Sequence, residues 1–319
     1  MWFATKMTNS AKMSGATAES ERGTLHRRDS LKALSSLRVH WPEYLMEAGE
    51  LSLYMFFTCV FATLLRHPAS PLRHFIVGDV SRRVLMGSAM GVTAIAIVMS
   101  PWGKQSGAHF NLGITVAFFW LGKVELWDAF WYATGQFLGG ISCVAIATAV
   151  LRGAPGDGTV RYAVTVPGVY GDGAAFVAEL IISFILMSAI LFTSNRESLS
   201  PYTPYFSGAL IAVYLTLEAP LSGASANPAR SLGSALHAGY WHALWIYFVA
   251  PPLGMLAAAE VFLRARGGSR AALRQAVPRQ RQALHIPLRL SNPPGRKILV
   301  TLGSMIATFS ITEELRNET

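Results

Sequence analysis

Two copies of one short motif determine the fold. Residues 106–111 read Ser-Gly-Ala-His-Phe-Asn, and residues 222–231 read Ser-Gly-Ala-Ser-Ala-Asn-Pro-Ala-Arg-Ser. The two asparagines of the motif, Asn111 and Asn227, lie 116 positions apart. Because the two copies match in order as well as in composition, they indicate an internal repeat, which sets the architecture of the whole chain.

Six apolar segments surround the two motifs. The chain is 52% hydrophobic and only 14% charged, against about 25% charged residues in an average soluble domain. A helix of about 20 apolar residues crosses the hydrocarbon core of a bilayer. The sequence therefore predicts six transmembrane helices, at 44–65, 84–100, 129–151, 175–193, 205–221 and 243–263.

Two further apolar stretches, 110–120 and 227–236, have about half the length needed to span a bilayer. Backbone that enters a membrane without crossing it is tolerated only against other protein or in a water-filled cavity. Three spanning helices per half place the second half in the opposite orientation. We therefore predict an all-α membrane protein, with six transmembrane helices plus two re-entrant half-helices in an inverted repeat around a pore.

The composition of the two ends suggests three regions. We predict a disordered polar and basic N-terminal tail over 1–42, a membrane domain over 43–266 with repeats of about 43–151 and 175–266, and a basic C-terminal tail over 267–319, disordered or lying at the membrane interface. The formal charge of +9 lies mainly in tails and loops, which favours contact with lipid headgroups over nucleic acid binding.

Basic residues also predict orientation. Both tails are basic, and six spans put them on the same side, so we expect a multi-pass protein of the cell membrane with cytoplasmic termini. Arg73, Arg82 and Arg83 in the first outer loop count against this orientation. Cys59 and Cys143 each lie in an apolar segment, where we expect buried thiols instead of a disulfide or a metal site.

Through 106–111 and 222–231 the sequence resembles the aquaporin, or major intrinsic protein, family, and the resemblance extends over about 44–266. The family carries two Asn-Pro-Ala boxes. The second box is intact as Asn227, Pro228 and Ala229, whereas the first reads Asn111, Leu112 and Gly113. Proline suits the first turn of a helix. With Leu112 in place of proline, the first turn of the helix is less rigid and carries a bulkier side chain. With Gly113 in place of alanine, the backbone at the next position is more flexible.

The resemblance implies roles for the pore residues. Two helix N-termini that meet in the membrane disfavour cations, and Asn111 and Asn227 would cap them and orient permeants. Arg230 would lie at the outer constriction; the alternative is a structural ion pair with Glu218. Counting from the asparagines without gaps adds three filter positions, Gly91, Leu215 and Ala224. A slip of one residue would substitute Val92 for Gly91, or Tyr214 or Thr216 for Leu215.

Three further residues correspond to supports in the family. Glu47 and Glu179 are intramembrane carboxylates placed early in each repeat, and we expect them to accept loop N–H groups instead of relaying protons. We expect His109 to be a hydrogen-bonding support and not a metal ligand.

The sequence thus predicts a passive channel for water and small uncharged solutes that excludes ions and protons. Glycine and leucine in the filter suggest a wide constriction suited to glycerol, urea or ammonia. The resemblance implies a homotetramer with no cofactor, no metal and no enzymatic activity. One alternative is a non-conducting structural protein of the same fold, closed by Leu112. An enzyme built on Ser106 and His109, or a proton-coupled transporter, is less well supported.

Overall fold

The computed structural model describes the backbone of residues 2–265 and the side chains of residues 29–265. Eleven α-helices lie in this part of the chain: α1 (Trp2–Arg66), α2 (Pro71–Phe75), α3 (Asp79–Met99), α4 (Pro101–Ser106), α5 (Leu112–Trp120), α6 (Leu126–Val150), α7 (Gly171–Ser194), α8 (Thr203–Val213), α9 (Ala219–Ser222), α10 (Pro228–Ala238) and α11 (Leu244–Ala265). A π-turn over Tyr214–Glu218 joins α8 to α9, and three-residue 3₁₀ turns lie at Ala154–Gly156, Arg161–Ala163 and Ser200–Tyr202.

Within these residues, six helical segments are long and apolar enough to cross a membrane: Asp29–Arg66, Asp79–Met99, Leu126–Val150, Gly171–Ser194, Ser200–Ser222 and Leu244–Ala265. They overlap the six apolar segments of the sequence, and α5 and α10 are the two half-length helices. The predicted fold class, six spans and two half-helices without strands in the described residues, is confirmed.

The packing of the helices repeats between the two halves. The first and third spanning helices of each half pack together, α1 along α6 and α7 along α11. Each half-helix crosses to the other half, so that α5 packs on α11 and α10 packs on α6. This exchange buries both half-helices between spanning helices.

The seam between the halves is the contact of α3 with α8. A Cβ added to Gly91 would lie 2.5 Å from the carbonyl oxygen of Gly208, and one added to Gly208 would lie 2.7 Å from the carbonyl oxygen of Gly91. Small residues at such a contact let two membrane helices approach closely through their backbones. The pair therefore fixes the distance between the two halves.

The first half contains a short helix, α4, that the apolar pattern did not predict. Ser100 begins it by accepting a hydrogen bond from the N–H of Gly103 at 3.0 Å, and Pro101 occupies its first turn. It has six residues, whereas its counterpart α9 in the second half has four. The short helix that leads into the motif is therefore two residues longer in the first half than in the second.

A polar cluster joins the middle of α1 to α6. The hydroxyl of Tyr44 donates to Asp128 Oδ1 at 2.6 Å, His40 Nδ1 lies 2.7 Å from the same oxygen, and Ser36 also donates to it. Ser36 and His40 belong to the segment predicted as an N-terminal tail. The predicted C-terminal tail, 267–319, lies outside the described residues.

Candidate pore site

The two motif asparagines cap the two half-helices with almost identical geometry. Asn111 has φ −150° and ψ 120°, and Asn227 has φ −152° and ψ 111°. The Oδ1 atom of Asn111 accepts a hydrogen bond from the N–H of Gly113 at 2.8 Å, and that of Asn227 accepts one from Ala229 at 3.0 Å. Each cap satisfies one of the unpaired N–H groups at a helix start.

The amide nitrogens of the same asparagines connect the two repeats. Asn111 Nδ2 donates to the carbonyl oxygen of Ala226 at 2.8 Å, and Asn227 Nδ2 donates to the carbonyl oxygen of Phe110 at 2.8 Å. Each asparagine thus bonds the residue that precedes the other asparagine. An amide carries two N–H groups, so each side chain retains a second donor. The bonds place the positive ends of α5 and α10 next to each other.

The loops before the asparagines have matching left-handed residues. Ala108 and Phe110 have φ of 47° and 28°, and Ala224 and Ala226 have φ of 51° and 50°. Residues with side chains avoid positive φ unless the surrounding structure holds them there. The shared conformation therefore requires strong contacts from elsewhere in each repeat.

Two fully buried glutamates supply these contacts. Glu47 accepts hydrogen bonds from the N–H groups of His109 and Phe110, both at 2.7 Å. Glu179 accepts from the N–H groups of Ser225 and Ala226, also both at 2.7 Å. A carboxylate that accepts two backbone N–H groups is satisfied within the protein. Both glutamates thus hold the loops, in the arrangement that the resemblance implied.

Sequence reasoning missed a second layer of support around the motif serines. The hydroxyl of Ser106 donates to Glu50 at 2.8 Å, and that of Ser222 donates to Glu179 at 2.7 Å and also to Glu218. Tyrosines bond the carbonyl oxygens of the same serines at 2.6 Å, Tyr132 in the first repeat and Tyr247 in the second. The tyrosines follow the serines by 26 and 25 residues, a spacing that aligning the repeats would have revealed.

His109 is buried inside the protein. Its Nδ1 lies 3.1 Å from the hydroxyl of Thr115, and its ring stacks on Phe118 with the centroids 5.0 Å apart. In the described part of the chain, no three His, Cys, Asp or Glu side chains form a group that could hold a metal ion. His109 thus makes packing and hydrogen-bond contacts within the first repeat.

The altered first box fits the space around it. Leu112 is half-buried, and Gly113 is buried in the first turn of α5. A Cβ added to Gly113 would lie 2.7 Å from Met255 Sδ, closer than side chains pack. The long, fully buried side chain of Met255 on α11 thus occupies the position where an alanine methyl would lie. The missing methyl of the first box is compensated by a side chain from the other repeat.

Arg230 lies in the first turn of α10, where the helix dipole disfavours a positive charge. The residue is only 5% exposed, and its Nη1 atom has no hydrogen-bond partner among the described residues. No ion pair joins it to Glu218 within this part of the chain, so the alternative structural pairing is not found here. A buried guanidinium placed in this way has donors available for a polar molecule.

The other three filter positions differ in their surroundings. Leu215 lies in the π-turn and Ala224 in the left-handed loop, both 8% exposed and in one apolar cluster with Met90. Gly91 instead faces the backbone of Gly208 in the α3–α8 seam. Because Gly91 has no side chain, α3 and α8 can approach each other closely. The neighbouring Met90, fully buried in the same cluster as Leu215 and Ala224, was not predicted.

A cavity of about 60 Å³ reaches Asn111 from the side of α5. Its walls combine the loop 108–111 with apolar residues of α3, α7 and α8, among them Ala94, Leu186 and Ile211. A volume of roughly 10–15 Å³ by this kind of measure accommodates one water molecule. The cavity therefore has room for a few water molecules beside the asparagine.

Comparison with known proteins identifies the family and several relatives of this chain. The family profile described as Major intrinsic protein matches residues 34–262. The chain is 31% identical over 185 residues to the Glycerol uptake facilitator protein-like 6 of Lactiplantibacillus plantarum, covering 57% of this chain and 83% of that protein. It is 36% identical to Aquaporin NIP1-1 of Arabidopsis thaliana, covering 54% of this chain but only 59% of that relative.

Among solved structures, the X-ray structure of the aquaglyceroporin from Plasmodium falciparum aligns with a TM-score of 0.60. The alignment covers 70% of this chain and 95% of the other, at 20% sequence identity. At that identity the likeness concerns the fold alone.

Proposed function

The chain belongs to the major intrinsic protein family, and from this premise we propose that it is a passive channel for water and small uncharged solutes of the glycerol type. The reciprocal pair of asparagine bonds carries the proposal. Asn111 and Asn227 each hold the loop of the other repeat through one N–H, which leaves a second N–H for a permeant. Such a donor pair orients the oxygen of water or of a hydroxyl group and interrupts a chain of hydrogen-bonded waters.

Exclusion of ions follows from the charges at the same place. The N-termini of α5 and α10 each contribute about half a positive charge. Arg230 adds a full charge in the first turn of α10. A cation that loses its hydration shell between these groups meets repulsion, and Glu47 and Glu179 are already bonded to the N–H groups of the loops. A neutral molecule with hydroxyl or carbonyl oxygens meets only donors.

The size of the permeant depends on the filter, which we assign to Gly91, Leu215, Ala224 and Arg230. Ala224 and Leu215 belong to one apolar cluster, and an apolar wall beside a guanidinium would suit the carbon backbone of a polyol. Gly91 adds no side chain of its own and brings α3 against α8. Glycerol, urea and water fit this combination.

A second candidate function is a non-conducting structural role, which the half-buried Leu112 favours. Two observations favour conduction. The cap and the cross-bond of Asn111 match those of Asn227 despite the substitution, and the space left by Gly113 is taken up by Met255. We further propose a homotetramer in the cell membrane with cytoplasmic termini.

Stopped-flow light scattering on proteoliposomes tests the proposal. Vesicles that contain the protein are challenged with sucrose and then with glycerol, beside the variants Asn227→Ala and Arg230→Val. Arg264→Gln is a matched control, because this arginine is exposed on α11 and distant in sequence from both motifs. We expect faster water or glycerol flux than in empty vesicles, reduced by Asn227→Ala, and a proton or cation leak with Arg230→Val. Folded, inserted protein without flux would establish the structural role.

A further inference from the structure

Four arginines surround a cavity at the membrane face where α1 ends and α3 begins. The cavity measures about 330 Å³. An apolar floor separates it from the membrane interior, and the polar wall comes from three helices and a loop, with Arg66, Arg73, Asp79, Arg82, Arg83 and Thr159. We call it the arginine cavity.

The arginine cavity carries a large positive charge. Four guanidinium groups and one carboxylate leave a formal charge of +3 on its lining. Asp79 pairs only with Arg82, at 2.6 Å, and its side chain is 81% exposed. A nearby second carboxylate, Asp157, is occupied by the hydroxyl and N–H of Thr159 at 2.6 and 2.8 Å, and these bonds hold its pKa below the usual range. Counted as a full negative charge beside the lining, Asp157 still leaves a formal charge of +2, so the protein does not neutralise the cavity by itself.

Three of the four guanidinium groups, those of Arg73, Arg82 and Arg83, donate a hydrogen bond to the protein. Arg73 Nη1 donates to the carbonyl oxygen of Arg66 at 2.9 Å, and Arg83 Nε donates to the carbonyl oxygen of Thr216 at 3.0 Å. Each guanidinium has five N–H donors, so the remaining ones are available to a ligand. A fixed planar fork of donors matches the oxygens of phosphate and carboxylate groups.

The cavity lies on the same membrane face as the Arg230 end of the pore. Successive spanning helices alternate in direction, so α1 ends and α11 begins at the same membrane face. The half-helix α10 starts beside Asn111 and runs towards this face, because it leads directly into α11. The loop of residues 154–163 contacts both α1 and α10, and its Thr159 lines the cavity with its hydroxyl oxygen 3.0 Å from the carbonyl oxygen of Arg66. The sequence pattern placed Arg73, Arg82 and Arg83 in a loop where positive charges are unexpected; their common cavity supplies a reason.

We propose that the arginine cavity binds an oxyanion of the phosphate type, supplied either as free phosphate or as a lipid headgroup. This site is separate from the pore residues and does not depend on conduction. Its affinity can be measured at equilibrium without any flux.

Isothermal titration calorimetry with inorganic phosphate tests the site, using the full chain in nanodiscs of phosphatidylcholine at low salt. We expect saturable binding that the double variant Arg66→Gln/Arg73→Gln weakens about tenfold or more, since it removes two charged donors from the cavity and salt screens only part of their contribution. Arg152→Gln removes an exposed arginine from the following loop outside the cavity and controls for general surface charge. If the glutamine variant does not fold, Arg66→Lys/Arg73→Lys keeps the charges and should still bind more weakly.

Nanodiscs that contain phosphatidylglycerol distinguish the two sources. If a headgroup fills the cavity, the native protein retains that lipid in native mass spectrometry, the double variant loses it, and added phosphate no longer titrates. If free phosphate is the ligand, titration persists in both lipids. Absence of phosphate binding together with arginine-independent lipid retention overturns the proposal, as does equal phosphate affinity in the native protein and the double variant.

Discussion

The two boxes reach the same geometry with different residues. In the second repeat, Ala229 packs where α6 has glycine: a Cβ on Gly140 would lie 3.2 Å from the carbonyl oxygen of Ala229. In the first repeat, the box residue is the glycine, Gly113, and α11 carries the large side chain, Met255. A small residue thus faces a larger one in both repeats, with the sizes exchanged.

The comparison separates what the site requires from what only supports it. The asparagine, the left-handed loop and the buried glutamate are the same in both repeats. Proline in the first turn is present once, as Pro228. The cap geometry does not depend on it, because Asn111 and Asn227 agree within 10° in both backbone angles. Each of the following predictions tests one part of this comparison.

The largest effects are expected at the glutamates. Glu47→Ala and Glu179→Ala should each lower the free energy of unfolding by about 3–5 kcal/mol, because each leaves at least two buried N–H groups without acceptors. The measurement is unfolding in mixed SDS micelles, with Glu→Gln at the same positions as the milder controls. A loss below 1 kcal/mol for Glu47→Ala alone would mean that the first loop is held by other contacts.

Removal of the asparagine side chains should have the next largest effect. Asn111→Ala and Asn227→Ala each lose a helix cap, worth about 1 kcal/mol, and a cross-repeat hydrogen bond of about 1 kcal/mol. We expect Asn111→Ala to be the more destabilising, since α5 lacks the preorganised proline that α10 has. The same unfolding assay measures the difference, and equal losses would show that Pro228 adds nothing to the second cap.

The exchanged sizes predict a dependence between two helices. Gly113→Ala should destabilise the protein by about 1–3 kcal/mol, because its methyl group meets Met255 Sδ. In a Met255→Ala background, which reproduces the small-residue arrangement of the second repeat, the same substitution should be tolerated better. A double-mutant cycle gives the coupling energy, expected above about 0.5 kcal/mol. Independent, additive effects would contradict the compensation.

The smallest effect is expected from restoring the proline. Leu112→Pro should stabilise the protein by about 0.4–1 kcal/mol, since Asn111 already has the extended conformation that a following proline requires. The unfolding midpoint measures this gain, and glycerol flux is recorded in parallel. A large rise in flux would show that the Leu112 side chain obstructs the native pore.

The repeat in the sequence predicted most of the fold and the central residues of the site. The ordered motifs predicted the positions of Asn111, Asn227, Glu47 and Glu179, because a polar side chain of each type has one favourable hydrogen-bonding role at that depth in a membrane. Counting without gaps from Asn111 predicted Gly91 as a filter position, and only the structure shows that this glycine also contacts Gly208 in the α3–α8 seam. Residue type and spacing alone do not reveal such a contact between helices.

Other parts of the site required three-dimensional contacts. Met255 is a common apolar residue in an apolar helix, and only its distance from Gly113 reveals its role. Arg66, Arg73 and the pair at 82 and 83 lie in three different helices, and the sequence showed Arg73, Arg82 and Arg83 only as charges of the first outer loop. Their common cavity depends on how α1, α2 and α3 meet.

The reciprocal bonds of the asparagines also have a consequence for synthesis. Asn111 and its partner Ala226 are 115 residues apart in the chain, which a ribosome that adds about 5–20 residues per second needs roughly 6–23 s to translate. During that time the first half enters the membrane without the acceptor for its asparagine amide. Glu47, which already lies in the nascent first half, is available to hold the loop through this interval, and the arrival of the second half completes the joint.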